Sequence, residues 1–288
     1  MKLAVESYIP VKRLGLEKGL HAIAQSGFDA VDFTFYFELE ALVEADNYLQ
    51  TAYAAKAILD QLGLRCIQAH APFSLRYGEP FDTSQPHFRN IVRAMEASAV
   101  LGAQIIVVHA PGSPEGALSP EALQTYLRLY RALERYCREF SICVGVENLG
   151  NALSTPALLN QLLEQLDESC FAACLDVGHA HMVGIPPQDF IRQLLPGRLR
   201  ALHIHDNDGT DDQHQLPFLG TVDWKAVMCA LRQTNYPGDF TMEAWRFLNS
   251  LPDSLQPDAL CFEARVAAHL AALTKCFEKE APRECMTL

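Results

Sequence analysis

Six short, largely apolar runs in this sequence end in residues that can carry protons or bind cations. They are Gln68-Ala69-His70-Ala71-Pro72, Val107-Val108-His109-Ala110-Pro111-Gly112, Val146-Glu147-Asn148, Leu175-Asp176-Val177-Gly178-His179, His203-Ile204-His205-Asp206-Asn207 and Met242-Glu243-Ala244-Trp245. A carboxylate or imidazole at the end of a buried strand must be solvated, paired or coordinated, because a lone buried charge costs several kcal/mol. Three Asp/Glu and at least three His facing one cavity would be electrostatically unstable without cations, so a bound divalent metal is the economical reading. Imidazole and carboxylate ligands suit zinc or manganese, and no thiolate is needed. Asp212-Gln213-His214 adds a carboxylate and an imidazole two residues apart, which point to one side of an extended loop. His203 and His205 share a face of one strand. We read His203, in line with Ala201, as the ligand, and His205, one step further out, as a substrate contact.

One set of elements must bring these ends to a common rim. Short β-branched or apolar runs alternate with longer segments of helical spacing, the pattern of βα units. Candidate strands span 2–6, 30–35, 65–70, 104–109, 142–147, 172–176, 199–205 and 239–243. Candidate helices follow at about 11–26, 48–62, 86–101, 119–139, 155–167, 187–195, 223–234 and 258–278. Ser119-Pro120-Glu121 and Ser154-Thr155-Pro156 read as helix starts, and Gly27, Gly63 and Gly102 as helix ends. Eight such units close most simply into an α/β fold of the (β/α)8 TIM-barrel type, a single domain over 1–288, whose active site lies at the C-terminal ends of its strands. A doubly wound open sheet would more often carry a Gly-rich phosphate loop after its first strand, and here that segment is Glu6-Ser7-Tyr8-Ile9-Pro10.

Composition narrows the partners. Lys+Arg 23 against Asp+Glu 35 gives a net charge of −12, the wrong sign for counterion-release binding to nucleic acid. Nine Cys, an odd number with no C-x-x-C pair, read as reduced thiols, and with no signal-like N-terminus or long apolar stretch the expected location is cytoplasmic, away from membranes. Cys170 and Cys174 read as core packing. His21, His87, His181 and His269 lie on or beside predicted helices and are not taken as site residues.

With these motifs in order along nearly the whole chain, the sequence resembles the xylose-isomerase-like TIM-barrel superfamily, which holds sugar and sugar-phosphate isomerases and epimerases together with the endonuclease IV type of apurinic endonuclease. The matching segments are those above, with Asp212-Gln-His214, Leu219-Gly220-Thr-Val-Asp223-Trp224 and Thr-Met-Glu243. The resemblance implies that Glu147, Asp176, His203 and Glu243 hold a central divalent metal. It also implies that His70 and His109, and separately His179, Asp212 and His214, match the extra ligands of the endonuclease branch's three-zinc cluster.

All nine positions are filled, so the alternative activity is an endonuclease IV-like phosphodiester hydrolase. Three features favour the sugar branch. The charge is unfavourable for DNA. Clustered Lys/Arg is scarce in the loops after the strands, Arg76 and Arg246 being the visible exceptions. Aromatic residues Phe35, Tyr36, Phe73, Phe218 and Trp245 lie near strand ends, where their faces could pack on a sugar. The expectation is a metal-dependent isomerase or epimerase of carbohydrate metabolism, with zinc or manganese and no organic cofactor. In it, Glu147 and Glu243 are the acid–base pair and His179, His205, Phe73, Trp245 and Arg246 contact substrate. A binding protein that keeps barrel and metal would leave the ligand set idle. Which sugar it takes is open, as is oligomeric state, although members of the family often form homo-oligomers.

Overall fold

The computed structural model describes residues 2–73, 82–111 and 120–273, the side chains of 120 and 121 excepted. Eight strands form one parallel sheet: β1 (Leu3–Glu6), β2 (Ala30–Thr34), β3 (Arg65–His70), β4 (Ile105–Val108), β5 (Cys143–Glu147), β6 (Phe171–Asp176), β7 (Leu199–His203) and β8 (Phe240–Met242). Their order is β7-β6-β5-β4-β3-β2-β1-β8. The circle closes between β7 and β8 through the parallel bridge Ile204–Met242, where the Ile204 N–H donates to Thr241 and the Glu243 N–H to Ile204. Helices cover the outside, so this is a TIM barrel, as the alternation of strand and helix patterns predicts.

The helix expected over 11–26 is two helices, Tyr8–Leu14 and Leu16–Ser26. They are broken at Gly15, whose positive φ of 82° a side chain rarely adopts. Thr155 caps its helix by accepting the Leu158 N–H at 3.3 Å. The Ser119 cap, Arg76 and the tail of the last predicted helix beyond residue 273 lie outside the described residues.

Two cores follow from strand alternation. Outward residues such as Val31, Ile106, Val144 and Leu202 meet the helices, while Ile105, Val107, Ala172, Cys174 and Ala201 form a second cluster inside the barrel. The inner set is small, and Gly145 adds no side chain. The barrel is therefore filled in its middle and open enough at both ends to hold cavities.

Candidate metal and acid–base site

At the C-terminal mouth, Glu147, Asp176, His203 and Glu243 each bring one donor atom into a group whose members lie within 4.8 Å of one another. All four are buried. β5, β6 and β7 end in the first three, and Glu243 follows β8 directly. His203 Nδ1 is 3.0 Å from Glu147 Oε1 and 3.5 Å from Glu243 Oε2, and its other nitrogen lies 3.5 Å from Asp32 Oδ2. Asp176 ends its strand and also caps the helix Val177–Met182, taking the His179 N–H at 2.6 Å. Asn148 clamps the same strand end from both sides of its peptide, accepting the Asp176 N–H at 2.7 Å and donating to its carbonyl at 2.9 Å.

Two further donor groups flank this centre. His70 and His109 sit beside Glu147, with His109 Nε2 2.8 Å and His70 Nε2 3.5 Å from Oε2. On the other side His179, His205, Asp212 and His214 form a group of four. In three of the imidazoles Nδ1 donates to a backbone carbonyl: His70 to Ala71 at 2.8 Å, His179 to Asn148 at 2.8 Å and His214 to Glu243 at 2.9 Å. With Nδ1 committed, a neutral ring turns its Nε2 lone pair into the mouth, the arrangement that orients imidazole ligands on a metal. His70 and His109 then face each other, Nε2 to Nε2, at 3.1 Å. His109 Nε2 also lies 2.8 Å from Glu147 Oε2, which can only accept, so in the protein alone that nitrogen carries the proton that a bound cation would displace. The donor set fits a divalent cation, and among the described residues the groups that could hold one take in eight of the nine positions named from the sequence, His109 being the exception, joined by His205.

The electrostatics divide the two glutamates. Burial pushes the Glu147 carboxyl up, but His203 and His109 outweigh it and hold the group well below its ordinary value. Burial raises Glu243 well above its ordinary value, and Glu6, Asp176 and Glu147 add to the rise against the pull of His203. Burial acts to lower His203 and His179, yet the surrounding acids win and raise both. Asp212 is lowered by His179 and His214 against its burial.

The walls of the mouth are aromatic. Phe73 stacks on Tyr36 at 4.8 Å and on His109 at 4.9 Å, with Phe37 edge-on, and Trp245 lies 5.1 Å from His214. Together with the donors they line a small cleft of about 120 Å³. Arg246 stays at the rim, over the Trp245 ring and 3.9 Å from Asp211. His205 is fully buried and does not line the cleft. Its Nε2 meets Asp176 Oδ2 at 3.0 Å, its ring stacks on His214 at 3.8 Å, and only a glycine at 178 leaves room for it.

Sequence reasoning passed over several residues that complete the mouth. Glu6 was read only as part of a segment lacking a Gly-rich loop. It is buried, accepts the Tyr36 hydroxyl, and is pushed up to about 8 by burial. The same hydroxyl lies 3.4 Å from Glu243 Oε1. Asp32 backs His203 and takes Gln68 Nε2 at 2.6 Å. Asp206 accepts four N–H groups, from Asn207, Val222, Phe218 and the Trp224 indole, at 2.8 to 3.1 Å, and so shapes the loop that carries Asp212 and His214. Period-two alternation from Glu6 and Asp32 was the available signal, since both fall on inward positions.

Over residues 20–264 the sequence matches the family described as xylose isomerase-like TIM barrel. The chain belongs to that family. Among curated relatives, the uncharacterized protein y4fM of Sinorhizobium fredii is 31% identical over 148 residues, 49% of this chain and 47% of that protein, so this match spans about half of its length. The uncharacterized protein MJ1311 of Methanocaldococcus jannaschii is 26% identical, over 84% of this chain and 83% of its own. Similar solved structures include a D-tagatose 3-epimerase-like protein, with TM-score 0.74 and 21% identity over 98% of this chain and 100% of that one. Another is the 3-keto-D-glucoside 4-epimerase of E. coli, with TM-score 0.71 and 20% identity over 92% and 99%. At these identities the likeness is one of fold.

Proposed function

We propose that this member of the xylose isomerase-like family is a divalent-metal-dependent sugar or sugar-phosphate isomerase or epimerase. The observation that carries the proposal is geometric: Glu147, Asp176, His203 and Glu243 are buried at the C-terminal mouth, each with a donor atom within 4.8 Å of the others, beside an aromatic cleft. Two carboxyl groups side by side in one site are an arrangement that acid and base catalysis uses. Epimerase neighbours with the same fold support the reading.

Glu147, Asp176, His203 and Glu243 would hold the ion, zinc or manganese, which when bound supplies Lewis-acid polarisation of a substrate carbonyl. Glu147, ionised, takes the proton from the carbon beside that carbonyl. Glu243 delivers a proton to the opposite side, and Tyr36, itself held by Glu6, fixes the carboxyl that does so. His179 faces the cleft and orients a hydroxyl, while Phe73 and Trp245 offer faces to sugar C–H groups and Arg246 reaches in from the rim. His205 acts on Asp176 and His214 from behind.

The test is deuterium exchange. In D2O with Mn2+ or Zn2+, a panel of ketoses, aldoses and their phosphates should show, by NMR, deuterium entering at the carbon next to the carbonyl for at least one substrate, and Glu147→Gln or Glu243→Gln should abolish it. No exchange across the panel, or exchange retained in both variants, rejects the assignment.

One observation favours a second reading. Two further donor groups flank the centre and His109 meets Glu147 beside them, so the residues could hold more than one ion, as an endonuclease IV-like phosphodiester hydrolase would need to activate a hydroxide. Metal content separates the two. About one ion per chain, unchanged by His109→Ala and His214→Ala, supports the isomerase or epimerase; two or three zinc ions, one lost with each substitution, together with cleavage of abasic-site DNA, supports the hydrolase.

A further inference from the structure

The cleft at the C-terminal mouth measures about 120 Å³, whereas pockets that enclose a whole small-molecule ligand measure roughly 300–1,000 Å³. It has room for one small group, and whatever is attached to that group must continue over the rim. Three aromatic residues of the cleft lining mark the way out. Tyr36, 3% exposed, places its hydroxyl on Glu6 and 3.4 Å from Glu243 Oε1. Phe73, 36% exposed, stacks on Tyr36 at 4.8 Å. Phe37, 52% exposed, meets both edge-on, at 5.1 and 5.0 Å. Exposure thus rises along one aromatic wall that starts at the donor group and ends in solvent.

A lone exposed Phe needs no explanation, but Phe37 is held where it is against strain. Its φ is 51°, in the left-handed region that glycine adopts freely and a side chain does not. Such strain persists only where the surroundings over-determine it, and it clusters at ligand clamps. The surroundings here are a built support. Phe37 opens the 3-10 turn Phe37–Glu40, and its ring lies 5.4 Å from that of Tyr8. The next residue, Glu38, accepts the Tyr8 hydroxyl and pairs with Lys12, both at 2.8 Å. Tyr8 and Lys12 belong to the helix Tyr8–Leu14, so the helix after β1 braces the turn after β2. An apolar ring beside a carboxylate and an ammonium suits a partner with C–H faces and hydroxyl edges better than one that is apolar throughout.

We infer that Phe37 is a specificity-determining residue that packs against a second sugar ring, so that the substrate has at least two sugar units, with the reacting one in the cleft. The inference rests on the sugar reading of that cleft and adds to it the size of the substrate.

Saturation-transfer NMR titrations of the Zn2+-loaded protein test it, with probes paired so that a second ring is the main difference: fructose and lactulose, glucose and cellobiose, xylose and xylobiose. In at least one pair the disaccharide should bind roughly three- to tenfold more tightly, the worth of one aromatic contact. Phe37→Ala should bring that ratio close to one, and Phe37→Tyr should keep it. Phe37→Gly, which frees the turn of strain, should lose the ratio as Phe37→Ala does, which assigns the loss to the ring and not to the backbone. Monosaccharides that bind as tightly as their disaccharides would overturn the inference and leave the sugar reading standing, as would a ratio that survives Phe37→Ala. Phenyl β-D-glucoside bound as tightly as cellobiose would overturn the assignment to a second sugar. Binding of none of the probes would count against both.

Discussion

The two mouths of this barrel are built from the same strands and are opposite in kind. The C-terminal mouth buries Glu6, Asp32, Glu147, Asp176 and Glu243 with His70, His179, His203 and His214 in close contact, around a cleft of about 120 Å³. The N-terminal mouth is wider, about 330 Å³, and its charges are two exposed arginines and one aspartate. At the first, donor atoms crowd together far more tightly than their charges favour, and the raised Glu6 and Glu243 and lowered Glu147 record that conflict. At the second, both arginines, Arg65 and Arg200, are exposed to water. The difference teaches that, among the described residues, the donor groups that could hold a metal ion gather at the C-terminal end and not at the N-terminal one.

The largest effect should come from the chemistry. Glu147→Gln or Glu243→Gln is expected to lower deuterium exchange by about 10²- to 10⁴-fold, the usual contribution of a positioned acid or base. Arg65→Gln with Arg200→Gln should leave the exchange rate unchanged, and a comparable loss in that double variant would erase the functional contrast between the mouths.

Next in size is Asp206→Ala, which removes a buried carboxylate accepting four N–H groups and is expected to cost about 4 kcal/mol, read from denaturant unfolding. Because Asp206 shapes the loop bearing Asp212 and His214 and not the central group, the same variant should keep a single central ion, and loss of part of a larger metal complement in elemental analysis would favour the hydrolase reading. Removing metal with a chelator should then lower the melting temperature, by the equivalent of about 2.7 kcal/mol if free ion had stood at 100 times its Kd. A melting temperature indifferent to chelation would count against the proposal that the C-terminal mouth holds a metal ion.

A smaller effect should appear in the pH dependence. The acid excess extends behind the mouth to Glu263, buried in the helix Gln256–Leu273 and pushed up to about 8 by burial and by the charge of Glu6. Between pH 4.5 and 8 the unfolded chain has already lost this proton while the folded chain keeps it, so stability falls as pH rises, by about 1.4 kcal/mol per pH unit for one group. Glu263→Gln should flatten that slope and raise the melting temperature at pH 8 while changing little at pH 4.5. An unchanged slope would show that the helix side of the mouth is wetter than its burial implies.

Much of the C-terminal mouth was legible before the fold was known, because a polar residue closing an apolar strand is a local signal. His70, Glu147, Asp176 and Glu243 needed only the strand pattern and the rule that barrel sites lie at strand ends. Glu6 and Asp32 obey the same alternation but were lost among unremarkable neighbours, since one-residue differences of register decide which way a side chain faces. His205 shows the converse: its spacing suggested a place beside His203 in the cleft, and packing against His214 and Gly178 sets it behind the cleft wall.

By itself the sequence determined the eight βα units, their order and the residue types delivered to one rim, because period and strand-end chemistry are properties of neighbours along the chain. Only the tertiary structure decided which imidazole nitrogens are held by backbone carbonyls, that Glu6 and Asp32 join the C-terminal mouth, and that two register shifts fall before Asp32 and before Cys174. Those outcomes depend on distances between strands remote in sequence, and on a low-dielectric interior that forms only when the barrel closes.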